Sequence, residues 1–385
     1  MVNQKTKLLP VLLASMSTLA FNAAVADDPS KNGGFKVKGS ETEFKVGARL
    51  MFDFDYFDGV HGEGSDTELR RGRFYLQSKN GPWKMKLQIN VDDDGTSGDR
   101  FEDAYIENSS FDFGSLKIGK FKEPFGLEWQ TSSKYITVIE RTTVTNAFSP
   151  GRSYGVALSG GAKNRFWTVG YFDNGNDVSG DQRAAITGRY VYAPVLEDSN
   201  VLHFGLAYSH RDYAGDAFAI SERAEVHTAN RVINSPAINT DKLDLVGLEA
   251  AYVAGPLSVQ AEYQMASAST SDVAGVDADF SGYYVQGSYF LTGESRPYKK
   301  GKFGSVKPSE AGGAWELVLG YSFLDASDLD DGNEATNIVL GANYYASRNV
   351  RFMFNLINTS VDTITPLATT SEDGDAVSIR GQYIF

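Results

Sequence analysis

EFKVGARLMFDFDYFD, residues 43–58, carries Phe44, Val46, Ala48, Leu50, Phe52, Phe54 and Tyr56 on one parity and Lys45, Gly47, Arg49, Asp53 and Asp55 on the other. Successive side chains of a β-strand point to opposite faces. A period of two held over sixteen residues therefore predicts a strand with one greasy and one wet face. The pattern recurs in Trp83, Met85, Leu87, Ile89 and Val91 against Lys84, Lys86, Gln88, Asn90 and Asp92. It returns in Leu257, Val259, Ala261, Tyr263 and Met265 against Ser258, Gln260, Glu262 and Gln264. Counted along the chain, such stretches predict strands at 42–58, 67–79, 82–92, 101–109, 114–121, 152–160, 164–173, 181–193, 199–213, 241–254, 256–268, 278–291, 313–324, 335–347, 349–361 and 374–385. That is sixteen, with some connections as short as Gly255-Pro256 and others as long as 122–151, 214–240 and 292–312. Short turns on one side and long loops on the other describe an antiparallel up-and-down meander that closes on itself.

Alternation alone does not say which face meets water. Sixteen strands enclose a lumen too wide for side chains to fill, so the inward parity is expected to be wet and polar and the apolar parity to face lipid. Tyr56, Trp83, Tyr208, Tyr252, Tyr263, Trp315, Tyr344 and Tyr383 sit at strand ends on the apolar parity, as aromatic girdles require. The reading is thus an all-β, transmembrane antiparallel barrel of about sixteen strands, with no fixed repeat of 20–50 residues to support a propeller or solenoid.

The chain has 385 residues, no Cys, 24 Phe, 20 Tyr, 39 Gly and a net charge of -13. The aromatic content excludes disorder, the lack of Cys excludes disulfides and thiolate chemistry, and the acidity argues against nucleic acid as a partner. Residues 1–26 read as a secretory signal: Lys5 and Lys7, an apolar run from Leu8 to about Ala20 broken by Pro10, then Ala24-Val25-Ala26. The apolar run is too short to cross a bilayer, which takes about 20 residues. Residues 27–385 then form the barrel, bound for the outer membrane of a Gram-negative-type cell.

Catalytic and metal signals are weak. Asn90, Asp92, Asp94 and Gly95 open like a calcium loop, but Phe101 stands where its bidentate Glu belongs. His61, His203, His210 and His227 show no metal spacing and read as solvated or lumenal. Without GxSxG, Walker A or a credible GxGxxG, no enzyme, cofactor or metal is expected.

One stretch breaks the alternation. GKFKEPFGLE (119–128), TSSKYITVIER (131–141) and SPGRSYGV (149–156), with ELRRGRFYL (68–76), LTGESRPY (291–298), GKFGSVKP (301–308) and GAWELVLGYSFLD (313–325), resemble blocks of the phosphate-selective porins, the porin O and P family. The resemblance implies a homotrimeric barrel in outer-membrane lipid whose third loop, here 122–151, folds into the pore, with Pro124, Gly126 and Pro150 setting its bends. It also implies an anion-binding constriction formed by Arg49, Arg70 and Arg71 opposite Lys134, or Lys120 and Lys122, with inorganic phosphate or other small anions passing; inward parity adds Arg73 to that cluster. Strict parity would turn Arg70 outward unless the strand bulges there or the side chain snorkels.

The inward parity also carries Lys84, Lys86, Arg183, Arg189, Arg211, Arg351 and Arg380 beside acids such as Asp53, Asp55, Asp103 and Glu107. Arg suits phosphate because its fork donates two parallel bonds, whereas Lys acts as a point charge. Lys299, Lys300, Lys302 and Lys307 read as an external loop at the mouth. Two other readings stand beside the anion channel. Opposed acidic and basic walls would make a general diffusion porin of weak selectivity, and a plugged lumen with partner-binding loops would make a structural or receptor barrel of little conductance.

Overall fold

Each period-two stretch forms a strand, and each strand pairs antiparallel with the next. The computed structural model describes residues 34–36, 41–91, 100–176, 182–270, 275, 277–329 and 332–385; the signal segment and most of the calcium-like turn lie outside them. The wall strands are β1 Glu43–Phe57, β2 Gly64–Asn80, β3 Trp83–Asn90, β4 Phe101–Phe111, β5 Gly114–Lys122, β6 Arg152–Ala162, β7 Arg165–Asn176 and β8 Gln182–Leu196. They continue as β9 Asn200–Phe218, β10 Ile238–Ala254, β11 Leu257–Ser269, β12 Ala278–Phe290, β13 Ala314–Asp325, β14 Gly332–Tyr345, β15 Val350–Ile364 and β16 Thr369–Ile384. Among the described residues these sixteen make one sheet, which closes where β1 pairs with β16 from Arg49↔Ile384 to Phe57↔Ala376. A short strand, Gly34–Lys36, folds back on the start of β1. Closure leaves no long strand edge without a partner.

The apolar parity points outward throughout: Phe52, Phe54, Tyr56, Trp83, Tyr208, Leu248, Tyr252, Tyr263, Trp315, Leu319, Phe352 and Tyr383 are all exposed on the barrel's outer face. Two-residue turns at 81–82 and 255–256 join strands at one end, where Gly81 (φ 53) and Gly255 (φ 55) take the left-handed backbone and Pro follows.

Two expectations change here. Connections from an even to an odd strand all lie at the short-turn end, and 291–313 joins β12 to β13, so this long segment is not an external loop beside the others. It enters the lumen from the opposite end to the third loop, which occupies 123–151. The inward parity is also not uniformly wet. Leu243, Leu245, Phe280 and Leu324 point inward and are buried in one apolar cluster with Phe125, Val144 and Phe148 of the third loop and Ile220, Ala224 and Ile233 of the 219–237 loop. The premise that a sixteen-stranded lumen stays empty fails because inward loops fill the β9–β15 side, and burying their apolar faces there removes them from water. The remaining passage runs along β1–β6. His61 is likewise fully buried rather than solvated, with the 219–237 loop closing over it through Asn230 N–H to His61 C=O, 3.2 Å.

Candidate functional site

The third loop is held by the wall, residue by residue. It turns at Gly126 (φ 64), where a Cβ would come within 2.8 Å of the Glu262 carboxylate. Glu262, from β11, accepts from the backbone N–H of Leu127 (2.8 Å) and Glu128 (2.6 Å), the first residues of α1, Leu127–Gln130. A second helix, α2 Thr143–Phe148, is capped by Thr142, whose hydroxyl accepts from Thr145 N–H. Between the helices the chain runs through turns and bends, and its carbonyls find wall side chains in place of a strand. Gln382 donates to Lys134 C=O (3.4 Å), Arg351 to Ile136 C=O (2.8 Å), Asn343 to Thr137 C=O (2.8 Å) and Arg380 to Ile139 C=O. Backbone groups away from water need such partners.

Glu140 is the loop's main anchor. Its carboxylate receives two parallel bonds from Arg70, both 2.9 Å, one from Arg380 at 2.6 Å, and lies 3.7 Å from Arg71. Burial alone would raise its pKa, but Arg70, Arg380 and Arg71 hold it well below the usual carboxylate range. Arg380 also forks onto Asp53 at 2.7 and 2.5 Å. On the other side of the loop Glu123 receives Arg211 at 2.8 Å, Thr187 at 2.6 Å and Ser153 at 2.6 Å. Glu123 and Glu140 thus face wall cations, while Ser132, Ser133, Lys134 and Arg141 line the open passage.

Two bulges sharpen the opposite wall. Between Met51↔Arg71 and Phe52↔Leu69 one extra residue, Arg70, is inserted into β2, which brings both Arg70 and Arg71 inward. Glu102 is inserted in the same way in β4, between Gln88↔Asp103 and Ile89↔Phe101. Glu102 then takes Arg152 (2.6 Å) and Arg73, while Asp103 takes Lys86 (2.5 Å) and Arg152 (3.0 Å).

The segment from β12 to β13 completes the site. Its tip is a hairpin, Tyr298–Lys299 against Lys302–Phe303, turning through Lys300 (φ 49) and Gly301 (φ 79). Arg189 forks onto Glu249 at 2.7 and 2.5 Å and donates to Gly301 C=O at 2.8 Å. His203 sits between Tyr298 (2.5 Å) and Glu249 (3.1 Å). Phe303 packs with Leu127 of the third loop and with Val201, Ala251 and Val253 of the wall. So fixed, the hairpin delivers Lys302 to the passage.

Where the two inward loops meet the β1–β6 wall, two adjoining chambers remain, of about 210 and 290 Å³. Nine of the sixteen residues around the first are cations, Arg49, Arg71, Arg73, Lys86, Lys117, Lys122, Arg141, Arg152 and Lys302, against one acid, Asp103. The second has Arg49, Arg73, Lys86, Lys134 and Lys302 and no acid among its liners. Most acids near the passage are already paired. By contrast Arg49, Lys122, Lys134, Arg141 and Lys302 have no carboxylate within ion-pair distance among the described residues. Arg49 donates to Ser133 Oγ and Lys122 to Trp129 C=O. The Trp129 ring lies among Lys122 (4.4 Å), Arg141 (5.1 Å) and Arg152 (6.0 Å), and Lys134 lies over Tyr135 (5.2 Å).

Such crowding costs the charged forms. Burial, then Arg49 and Lys86, bring Lys134 down to about 8. Loss of bulk water around its head, then Lys117 and Arg189, do the same to Lys302, also about 8. Burial lowers Arg141 to about 10 despite Glu128 and Glu140. At neutral pH all three are protonated, and a cluster of cations in a confined space is a place for an anion.

Of the residues expected at the constriction, Arg49, Arg71, Arg73, Lys122 and Lys134 line the chambers. Arg70 faces inward but is engaged by Glu140 and lines neither. Lys120 is misplaced by that expectation. It shares its face of β5 with exposed Ile118 and lies by the outward ring of Tyr154, 5.8 Å from its centre. Lys302 was expected at an outer mouth, and strand counting alone would have placed its segment at the short-turn end. Lys117, Arg141 and Arg152 were not anticipated; for Lys117 the signal was its parity with Phe121, whereas loop residue Arg141 had none.

A family model described as phosphate-selective porin O and P matches residues 44–385. The chain is 31% identical to porin O of Pseudomonas aeruginosa, with 97% of each chain covered. Among solved structures it is similar to an anion-selective porin from Comamonas acidovorans (15% identity, 90% of this chain and 100% of that one, TM-score 0.58). It is similar as well to the outer-membrane channel DcaP of Acinetobacter baumannii (14% identity, 92% and 100%, TM-score 0.58).

Proposed function

The chain belongs to the phosphate-selective porin O and P family, and we propose that this outer-membrane barrel passes small anions down their gradient, with phosphate held best in its two cationic chambers. The observation that carries the reading is the excess of unneutralised cations, Arg49, Lys122, Lys134, Arg141 and Lys302, around the two adjoining chambers. A confined field of this kind outweighs a net charge of -13 spread over the whole chain. Arg49 and Arg71 supply forks for phosphate oxygens and the lysines supply mobile point charges. Contacts are serial and individually weak, as conduction needs, since a single tight site would retain its ion. Export with loss of residues 1–26 and assembly as a trimer in outer-membrane lipid belong to the same proposal. No chemical step is required of any residue.

Pairing of Glu102, Asp103, Glu123, Glu140 and Glu249 with wall or loop cations favours this reading over a general diffusion porin, because it removes acids from the lining. The test is a planar bilayer under a salt gradient, followed by phosphate titration of the chloride current. Expected are a reversal potential of anion sign and block by phosphate. A cation-signed potential overturns anion selection, conduction without phosphate block leaves a general porin, and no conduction at all leaves a receptor-like barrel.

A further inference from the structure

Away from the two chambers a third, smaller cavity lies at the short-turn end, where the third loop, the β12–β13 segment and the turn between β14 and β15 come together. One cation or more comes from each: Lys134 from the first, Arg296 from the second, Arg348 and Arg351 from the third and the strand after it. No carboxylate is among its liners. Arg296 and Arg351 are 3% and 2% exposed, and in both the Nε is buried with no hydrogen-bond partner. Their terminal nitrogens meet only neutral acceptors. Arg296 donates to Gln260 Oε1 (2.6 Å) and Tyr135 C=O (3.4 Å), and Arg351 to Ile136 C=O (2.8 Å), Tyr345 Oη (3.3 Å) and Gln382 Oε1 (3.2 Å). Glu316 stands behind Tyr345, accepting from its hydroxyl at 2.8 Å, and sets one negative charge against four positive ones.

Buried Arg296 and Arg351, with half-buried Lys134 and exposed Arg348 beside them, would drive their elements apart, and an orphaned guanidinium N–H is costly away from water. Both defects are met by one negative ion. The cavity offers about 10 Å³ to the centre of a water-sized sphere, which is room for a single heavy atom and not for a tetrahedral oxyanion. We propose that it holds a resident monatomic anion, chloride in a saline envelope, which does not permeate but ties the third loop, the β12–β13 segment and the β14–β15 turn together. The cavity shares Lys134 and Tyr135 with the second chamber, but Arg296, Arg348 and Arg351 line neither chamber and the ligand is smaller, so the site stands whether or not phosphate is what passes through them.

Crystals of the full barrel in detergent, grown in sodium bromide, test this through anomalous scattering. Expected is a bromide peak bounded by Arg296, Arg348 and Arg351, in addition to any beside Lys302. Bromide in the chambers with none in this cavity overturns the inference and leaves the pore reading intact. A second measurement uses Arg348→Gln, which changes an exposed turn residue and spares folding. Thermal unfolding is compared in chloride and in isethionate, too large for the cavity, at equal ionic strength. Chloride should raise the midpoint of the parent barrel, and the rise should shrink in the variant although the chambers are unchanged. An equal rise in both proteins overturns the four-cation site.

Discussion

Arg70 and Arg71 are adjacent in sequence, and a single inserted residue brings both into the lumen, yet they meet different neighbours. Arg70 forks onto Glu140 and lines neither chamber, whereas Arg71 stands 3.7 Å from that carboxylate, lines the larger cluster of cations and keeps its Nε without a partner. Arg71→Gln should therefore weaken phosphate block of the chloride current while the loop stays docked. Arg70→Gln should do the reverse, leaving block affinity nearly unchanged and adding open-channel noise. Equal loss of block in both variants, read from single-channel records, would erase the distinction. The lysines add a pH dependence. Lys134 and Lys302, each near 8, are charged below that pH and neutral above it, so anion selectivity should fall as pH rises from 7 to 9. Chloride is the ion to use, since its own charge does not change, and Lys134→Met with Lys302→Met should flatten the profile. Legibility differed residue by residue. Arg49 and Arg71 could be read from parity and motif together, and Arg73 from parity alone. For Lys120 the motif misleads: it shares its face with exposed Ile118, whereas Lys122, on the same parity at the end of the strand, lines the first chamber. The bulge at Arg70 has no local signal beyond the doubled arginine, because an insertion of one residue is settled by the partner strand.

Loops, more than strands, shape the passage. The third loop was visible in sequence because some thirty residues without alternation cannot be wall, but its route was not. That route depends on wall side chains such as Gln382, Arg351, Asn343 and Arg380 reaching carbonyls more than two hundred residues away in sequence. Glu140 gathers three arginines, and removing its charge leaves Arg380 with Asp53, Arg70 with only Glu68 at 3.9 Å, and Arg71 with no ion-pair partner among the described residues. Breaking a buried ion pair from one side costs about 3–5 kcal/mol. Glu140→Gln should loosen residues 134–141 without unfolding the barrel, seen as faster hydrogen exchange confined to that segment and a larger, noisier conductance. Unchanged exchange there would deny Glu140 its anchoring role. The β12–β13 segment shows a different failure of reading. Its length suggested an outer loop, although the parity of its flanking strands already put it at the opposite end, and only the packing of Phe303 on Leu127 shows that it turns inward.

For the barrel as a whole, sixteen strands, their approximate limits, antiparallel order and outward greasy face were all readable, because a period of two survives any detail of packing. What could not be read was that half the lumen is full. An inward Leu243 or Phe280 looks, in sequence, like an imperfect strand, and becomes intelligible only with Phe125 and Phe148 against it. Net charge misleads in a similar way, since the acids lie mostly at rims and in ion pairs while free cations gather in the chambers. The join between β1 and β16 has one more consequence. Its bonds, down to Phe385 N–H on Ala48 C=O at 3.1 Å, link the first wall strand to the last, so the cylinder cannot seal until both are in place. Until that moment every strand travels as a sticky ribbon with open edges, the kind that stacks into cross-β aggregates. The strands must therefore be kept from pairing with other copies until β16 reaches β1, the contact that removes the last open edges.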